Sequence, residues 1–236
     1  MASVGSSSVT LHCKGILFDM DGILISSIAS VERSWTKWAL MRDVDPADAL
    51  RIAHGCRAIE TVAKLRPDLD SESELKVIEE IEVADGEGVR VLPGVLDLLQ
   101  SIPPARWTVV TSATERLARA RMAGAGIAVP ERIVTAEFVT YGKPHPEPFL
   151  AGAELLGAAP AECIVFEDSS SGVIAGRDAG CTVIATTFSH PAEALNAAHY
   201  MIPDLTGVKI QSPAEELILQ LISPGVHSQS SPETMN

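Results

Sequence analysis

Residues 15–22 read Gly15-Ile16-Leu17-Phe18-Asp19-Met20-Asp21-Gly22: a short apolar run that ends abruptly in two acids and a glycine. A run of this length bounded by turn chemistry reads as a strand buried on both faces, the habit of a parallel sheet. Carboxylates at i and i+2 would point to opposite faces if the strand continued. Gly22 lets the chain turn, so both can face one crevice.

Working outward, the remainder of the chain alternates strands and helices. Strands are expected at Trp107-Thr108-Val109-Val110, Ile133-Val134, Cys163-Ile164-Val165-Phe166 and Thr182-Val183-Ile184-Ala185, the last of these being the final one. Helices are expected over 114–122, 146–156 and 171–179. Such alternation implies an α/β fold with a doubly wound, Rossmann-like parallel sheet and right-handed crossovers. The stretch from Ile28 to about Asp85 differs. Its apolar residues recur at three- and four-residue spacing, with breaks at Asp45-Pro46, His54-Gly55 and Pro67, and no strand is expected there. It reads as an all-helical subdomain inserted after the first strand, with Trp35 and Trp38 in its core. The expected division is a discontinuous core of residues 1–25 and 93–236 and an insertion of residues 26–92. Residues 1–12 and 223–236 are rich in Ser and Pro and read as frayed, the second as a flexible tail.

Of the 236 residues, 46% are hydrophobic but only 4% aromatic, so the core must be built from Ala, Val, Leu and Ile. The net charge of −13 argues against nucleic acid or an anionic membrane as partner, because phosphate backbones need a basic footprint. It also means that an anionic substrate would need a local cation to override the global field. Cys13, Cys56, Cys163 and Cys181 are scattered without zinc-site spacing and read as free buried thiols. With no signal peptide or apolar span in view, a cytoplasmic location is expected. The oligomeric state is left open, with a monomer preferred.

In an open α/β sheet, ligands bind where the strands stop. Here the strand ends carry Asp19-Met20-Asp21-Gly22, Thr111-Ser112, a loop with Gly142-Lys143-Pro144, and Glu167-Asp168-Ser169. Hard oxygen ligands from Asp19, Asp168 and Glu167 suit Mg²⁺, which keeps waters and bridges to substrate phosphate. A carboxylate can also attack phosphorus, while a neighbouring acid such as Asp21 protonates the leaving oxygen and then deprotonates water. Lys143 would hold phosphoryl oxygens, and the Thr111-Ser112 hydroxyls and amides would add neutral donors.

These segments together resemble the haloacid dehalogenase-like hydrolases, in the subgroup with a helical cap inserted after the first motif. The resemblance runs over about residues 13–205, through Phe18-Asp19-Met20-Asp21-Gly22, Val109-Val110-Thr111-Ser112-Ala113-Thr114, Gly142-Lys143-Pro144 with Pro146-Glu147-Pro148, and Val165-Phe166-Glu167-Asp168-Ser169-Ser170-Ser171-Gly172. It implies that Asp19 is nucleophile and metal ligand, that Asp21 is acid/base and a ligand through its carbonyl, and that Lys143 binds phosphate and Asp19. Asp168, with Glu167, would hold Mg²⁺. Either Thr111 or Ser112 supplies the phosphate-binding hydroxyl. Ile23, where Thr or Val is usual, removes a hydroxyl that fixes the loop, and Ser26, where Asp is common, loosens the way into the cap. The presence of Asp21 speaks against dehalogenation. It also argues against phosphonate hydrolysis, despite the lysines Lys37, Lys64 and Lys76.

The segment Ala53-His54-Gly55-Cys56-Arg57-Ala58-Ile59-Glu60 resembles the cap loop of glycerol-phosphate and 2-deoxyglucose-phosphate phosphatases. That implies a small sugar or polyol phosphate as substrate, touched by Arg57, His54 and Glu60. Two alternatives stand beside a phosphatase: a β-phosphoglucomutase-like phosphosugar mutase, and a receiver-type module that only accepts phosphate.

Overall fold

The four apolar residues of the opening motif form an interior strand of the core sheet, paired on both sides. In the computed structural model, the described residues are 8–53, 57–213 and 215–222. The chain begins with β1 (Ser8–Cys13), β2 (Gly15–Phe18) and β3 (Ile25–Ser26). Four helices follow: α1 (Ile28–Met41), α2 (Pro46–Ala53), α3 (Ala58–Leu65) and α4 (Ser71–Ala84). Next come β4 (Arg90–Val91), α5 (Val95–Ser101), β5 (Trp107–Val109), α6 (Glu115–Gly124) and α7 (Glu147–Leu155). The chain closes with β6 (Cys163–Glu167), α8 (Ser170–Asp178), β7 (Thr182–Thr186), β8 (Tyr200–Ile202), β9 (Val208–Gln211) and β10 (Leu217–Ile222).

The main sheet is parallel throughout, in the order β5-β2-β6-β7-β8. Side chains alternate between its faces. Ile16 and Phe18 point into one cluster with Val109, Met122 and the leucines of β10, while Leu17 joins Phe149, Val165 and Val173 in another. Phe18 stacks on Phe166 at 5.2 Å and meets the edge of Trp107 at 6.0 Å. Few aromatics are present, and three of them converge on the strand that carries the acids.

Three expectations change. The expected fraying at residues 8–12 is replaced by β1, which pairs antiparallel with β10 in a separate three-stranded sheet, β1-β10-β9. In β10, Leu217, Leu219 and Leu221 are buried and alternate with less buried neighbours, so pairing with β1 covers a continuous apolar face. Residues 182–185 do not form the last strand, because β8 extends the main sheet beyond β7. The expected strand at Ile133-Val134 shrinks to a single parallel bridge between Val110 and Val134 at the sheet edge.

Helices α1 to α4 enclose their own apolar cluster, which includes Trp35, Trp38, Val62 and Ile78. The two tryptophans meet edge to face at 5.4 Å, and Trp38 Nε1 donates to Glu74 at 2.9 Å. The chain enters and leaves this helical block through β3 and β4, an antiparallel pair with Ile25 opposite Val91 and Ser26 opposite Arg90. Among the described residues, no helix is long and apolar enough to cross a membrane.

Candidate active site

The switch point of the sheet lies at β2, from which the chain passes first to β5 on one side and later to β6 on the other. Crevices open at the carboxyl ends of strands at such a point, and β2 delivers Asp19 there. Beyond it, Met20 O accepts the amides of Leu24 and Ile25 at 2.9 and 3.1 Å, closing a tight loop. Gly22 has φ of 83°, and a Cβ there would lie 1.7 Å from Asp168 Oδ2, so backbone and packing both demand glycine. Ile23 is buried in the core, and a hydroxyl from elsewhere steadies the loop: Thr186 Oγ1 donates to Gly22 O at 3.4 Å.

Lys143 binds the strand ends together. Its ammonium donates to Asp19 Oδ1 and Glu167 Oε1, both at 2.7 Å, and to Val110 O at 3.1 Å. All three protons therefore have partners on a side chain only 5% exposed. Burial would pull this lysine's pKa down, but Asp19 and Glu167 hold it above its ordinary value.

Asp19, Glu167 and Asp168 each bring an oxygen within 4.8 Å of the others. Glu167 is the most committed: its Oε2 accepts the amides of Asp168 and Ser169 at 2.8 and 2.9 Å, and the Ser169 hydroxyl at 3.0 Å. The Asp168 carboxylate accepts the Ser189 hydroxyl, which lies 2.8 Å from His190 Nδ1. Burial pushes the Asp19 carboxyl up to about 7; Lys143 opposes the rise and Glu167 adds to it. Burial, then Glu167 and Asp19, likewise carry Asp168 well above the ordinary carboxylate range. One lysine therefore does not neutralise three buried carboxyls, and an all-oxygen set of this kind could hold a hard divalent cation.

Asp21 faces the same crevice, where it accepts the hydroxyl of Ser27. Both its oxygens also accept Arg121 Nη1 at 3.3 Å. On the neighbouring strand, the Thr111 amide donates to Val134 O at 2.9 Å, and Thr111 Oγ1 accepts the Ala113 amide at 3.1 Å. The Ser112 hydroxyl has no partner among the described residues. Both residues border a cavity of about 140 Å³, which is walled by the helical block on one side and the strand ends on the other.

From the helical block, Arg57 reaches into this cavity. Its Nε donates to Glu60 at 2.7 Å, and Nη1 lies 3.5 Å from the carbonyls of Ala136 and Val139. Glu60 stands behind Arg57 and is not among the residues lining the cavity. His54, expected as a contact, lies outside the described residues, as does Cys56. Trp35, expected as helical core in preference to a sugar-stacking platform, also borders the cavity.

Residues 13–180 match the family model of haloacid dehalogenase-like hydrolases. The chain belongs to that family. Hexitol phosphatase A of Escherichia coli (strain K12) is 39% identical over 216 residues, covering 89% of this chain and 100% of that protein. Glycerol-1-phosphate phosphohydrolase 2 of Saccharomyces cerevisiae is 34% identical over 194 residues, covering 76% of this chain and 78% of that protein. The crystal structure of β-phosphoglucomutase from Clostridium difficile shares the fold, with a TM-score of 0.72 at 20% identity over 84% of this chain and 93% of that one. As a haloacid dehalogenase-like hydrolase with phosphatase relatives, the chain is an enzyme that hydrolyses phosphoric monoesters.

Among the residues of this hydrolase's crevice that sequence reasoning missed are Ser27, Glu82, Arg121 and Ser189. Arg121 had left a signal. Leu117, Ala118, Arg121 and Met122 share the buried face of α6, so helical spacing alone turns that arginine inward.

Proposed function

We propose that the enzyme is a Mg²⁺-dependent phosphatase for a small sugar or polyol phosphate, acting through an aspartyl-phosphate on Asp19. The observation that carries this reading is Lys143 clamped 2.7 Å from both Asp19 and Glu167 at the switch point, with Asp21 two residues from the nucleophile. Asp19 Oδ1 is held by Lys143, which leaves Oδ2 to attack phosphorus. As the P–O ester bond breaks, Asp21 gives its proton to the leaving oxygen. Water then attacks the phosphorus, its proton passes to Asp21, and inorganic phosphate leaves with Asp19 restored. Lys143 offsets the charge of the phosphoryl oxygens, and the unpartnered Ser112 hydroxyl is the better of the two candidates for donating to them.

Asp19 and Asp168, with the Asp21 carbonyl, would hold Mg²⁺, which when bound supplies positive charge to the phosphoryl oxygens. Glu167, with both oxygens already accepting, anchors Lys143. In this reading residues 26–92 form a cap over a core of residues 1–25 and 93–236. Arg57, braced by Glu60, is the cap's contact with the substrate. Buried free thiols at Cys13, Cys163 and Cys181 suit a reducing cytoplasm.

A phosphate-release screen with Mg²⁺ across hexitol phosphates, glycerol 1-phosphate, 2-deoxyglucose 6-phosphate and nucleoside monophosphates tests this. Preferential turnover of a polyol or sugar phosphate is expected. Release from none of them would sink the reading, and isomerisation dependent on a bisphosphate activator would replace it with the mutase.

Metal binding carries its own prediction. Protons and Mg²⁺ compete for the same carboxylates, and burial raises Asp19 to about 7 and Asp168 upward. Mg²⁺ should therefore raise the melting temperature more at pH 8 than at pH 5. Equal shifts at both, read by scanning calorimetry, would place the ion elsewhere.

A further inference from the structure

The Asp21 carboxylate is held by a residue with no role in the reaction just described. Arg121, on α6, is 6% exposed, and its two terminal nitrogens have different partners. Nη1 lies 3.3 Å from both oxygens of Asp21, while Nη2 lies 3.3 Å from Glu82 Oε1 on α4, in the helical block. Glu82 is itself 6% exposed. The guanidinium therefore joins the carboxylate at the strand end to one on the block above it. A structural arginine ordinarily has partners for its buried N–H groups, yet Arg121 Nε has none among the described residues. The position serves the two carboxylates rather than the arginine's own hydrogen bonding.

The surrounding contacts give this bridge a mechanical setting. Helix α4 presents acids to the basic face of α6: Arg116 Nη1 lies 3.0 Å from Glu79 Oε2 and 2.7 Å from Glu80 Oε1, and the Thr114 hydroxyl donates to Glu79. These outer pairs are partly solvated and contribute little individually. Arg121 and Glu82 are the buried pair of the row, and the one that reaches the reacting group. If α4 moves away, Arg121 loses Glu82, and its grip on Asp21 changes.

We propose that Arg121 is a positioning residue that orients the acid/base carboxylate of Asp21 and, through Glu82, makes that orientation depend on the seating of α4. The inference rests on the phosphatase reading, in which Asp21 is the proton donor and acceptor. It predicts a defect that depends on the leaving group. Release of an alkoxide from a polyol phosphate needs Asp21's proton, whereas p-nitrophenolate leaves without one.

The test compares the first turnover of the best polyol or sugar phosphate with that of p-nitrophenyl phosphate, by rapid mixing in the presence of Mg²⁺. Arg121→Met alone leaves Glu82 buried and unpaired, so the double variant Arg121→Met/Glu82→Gln, which removes both charges, is measured beside it and both are checked by thermal melting. In the double variant, first-turnover rates should fall by about 10- to 100-fold on the alkyl ester and by less than about threefold on p-nitrophenyl phosphate. A burst of p-nitrophenolate should follow, because hydrolysis of the phosphoenzyme still needs Asp21 as base. Arg121→Lys should restore part of the alkyl-ester rate. Equal losses on both substrates, or no loss on either, would overturn the inference while leaving the phosphatase reading standing. If the wild-type enzyme turned over neither substrate, the phosphatase reading would fail first and take the inference with it.

Discussion

Asp19→Asn is expected to lower phosphate release by at least about 10⁴-fold while leaving the fold intact, the scale on which removal of a covalent nucleophile usually registers. The amide keeps the shape of the carboxylate, and its oxygen can still accept from Lys143, so the 2.7 Å clamp at the strand end has a replacement partner. It lacks an anionic oxygen able to bond phosphorus. Stability should move the other way. Burial raises the Asp19 carboxyl to about 7, against an ordinary value near 4, so above pH 7 the folded state carries a charge that the unfolded chain holds at less cost. That penalty begins as pH rises past the unfolded value and is complete above the folded one. Without metal at pH 8 the variant should therefore melt no lower than the wild type. Phosphate assays and calorimetry on the same preparation check both halves. Release at the wild-type rate would remove Asp19 from the chemistry, whereas loss of activity together with collapse of the fold would reduce it to a structural acid.

The residues in this argument were legible because each stands where an apolar run stops. Phe18-Asp19, Val110-Thr111 and Phe166-Glu167 mark strand ends in one dimension, and a parallel sheet brings such ends to one rim. Lys143 was legible less directly, in a Gly-Lys-Pro loop beyond the expected strand at Ile133-Val134. Much of what surrounds them was not. The strand at residues 8–13 pairs with residues 217–222, at the far end of the chain, and its alternation of Val9 and Leu11 with polar neighbours lies behind a serine-rich prefix. The β3–β4 pair is two residues long on each side, too short to show a period. Glu167 read as a metal ligand beside Asp168, and it stands in one carboxylate cluster with Asp168 and Asp19; its further buried partners at the end of β6 were not in the pattern. There it meets Lys143 and the first amides beyond the strand. Glu60 read as a substrate contact from the resemblance of its segment to a cap loop, and its i,i+3 spacing from Arg57 makes it the arginine's salt-bridge partner. Pairing across long separations and buried charge are tertiary facts, and local patterns carry them weakly.

Lys143→Met tests the electrostatics of the site from the other side, and its largest effect should be on stability. The lysine is the cation that touches both Asp19 and Glu167, and methionine fills similar volume against Phe149 without the charge. Removing one partner of a buried ionic cluster costs about 3–5 kcal/mol, because the groups left behind remain desolvated. For a chain of this size that corresponds to a fall in melting temperature of roughly 6–20 °C. The loss should depend on pH in a definite direction. Below the ordinary carboxylate range the acids are protonated in folded and unfolded chains alike, and up to about pH 5 burial keeps the folded ones protonated with or without the lysine, so the missing cation matters little. As pH rises, the unfolded chain ionises first, while the folded acids, already pushed upward by burial, must ionise without a partner. The gap between variant and wild type should therefore be small at pH 5 and widen towards pH 8, and added Mg²⁺ should narrow it. Activity should fall as well, by about 10²–10³-fold, the usual cost of removing one charge-stabilising donor from a transition state. Lys143→Arg should not restore it, because the planar guanidinium cannot occupy the point-charge position between two carboxylates and a carbonyl. A stability gap that is constant from pH 5 to pH 8 would mean that Lys143 acts through shape and packing, and the electrostatic account of the strand ends would then have to be abandoned.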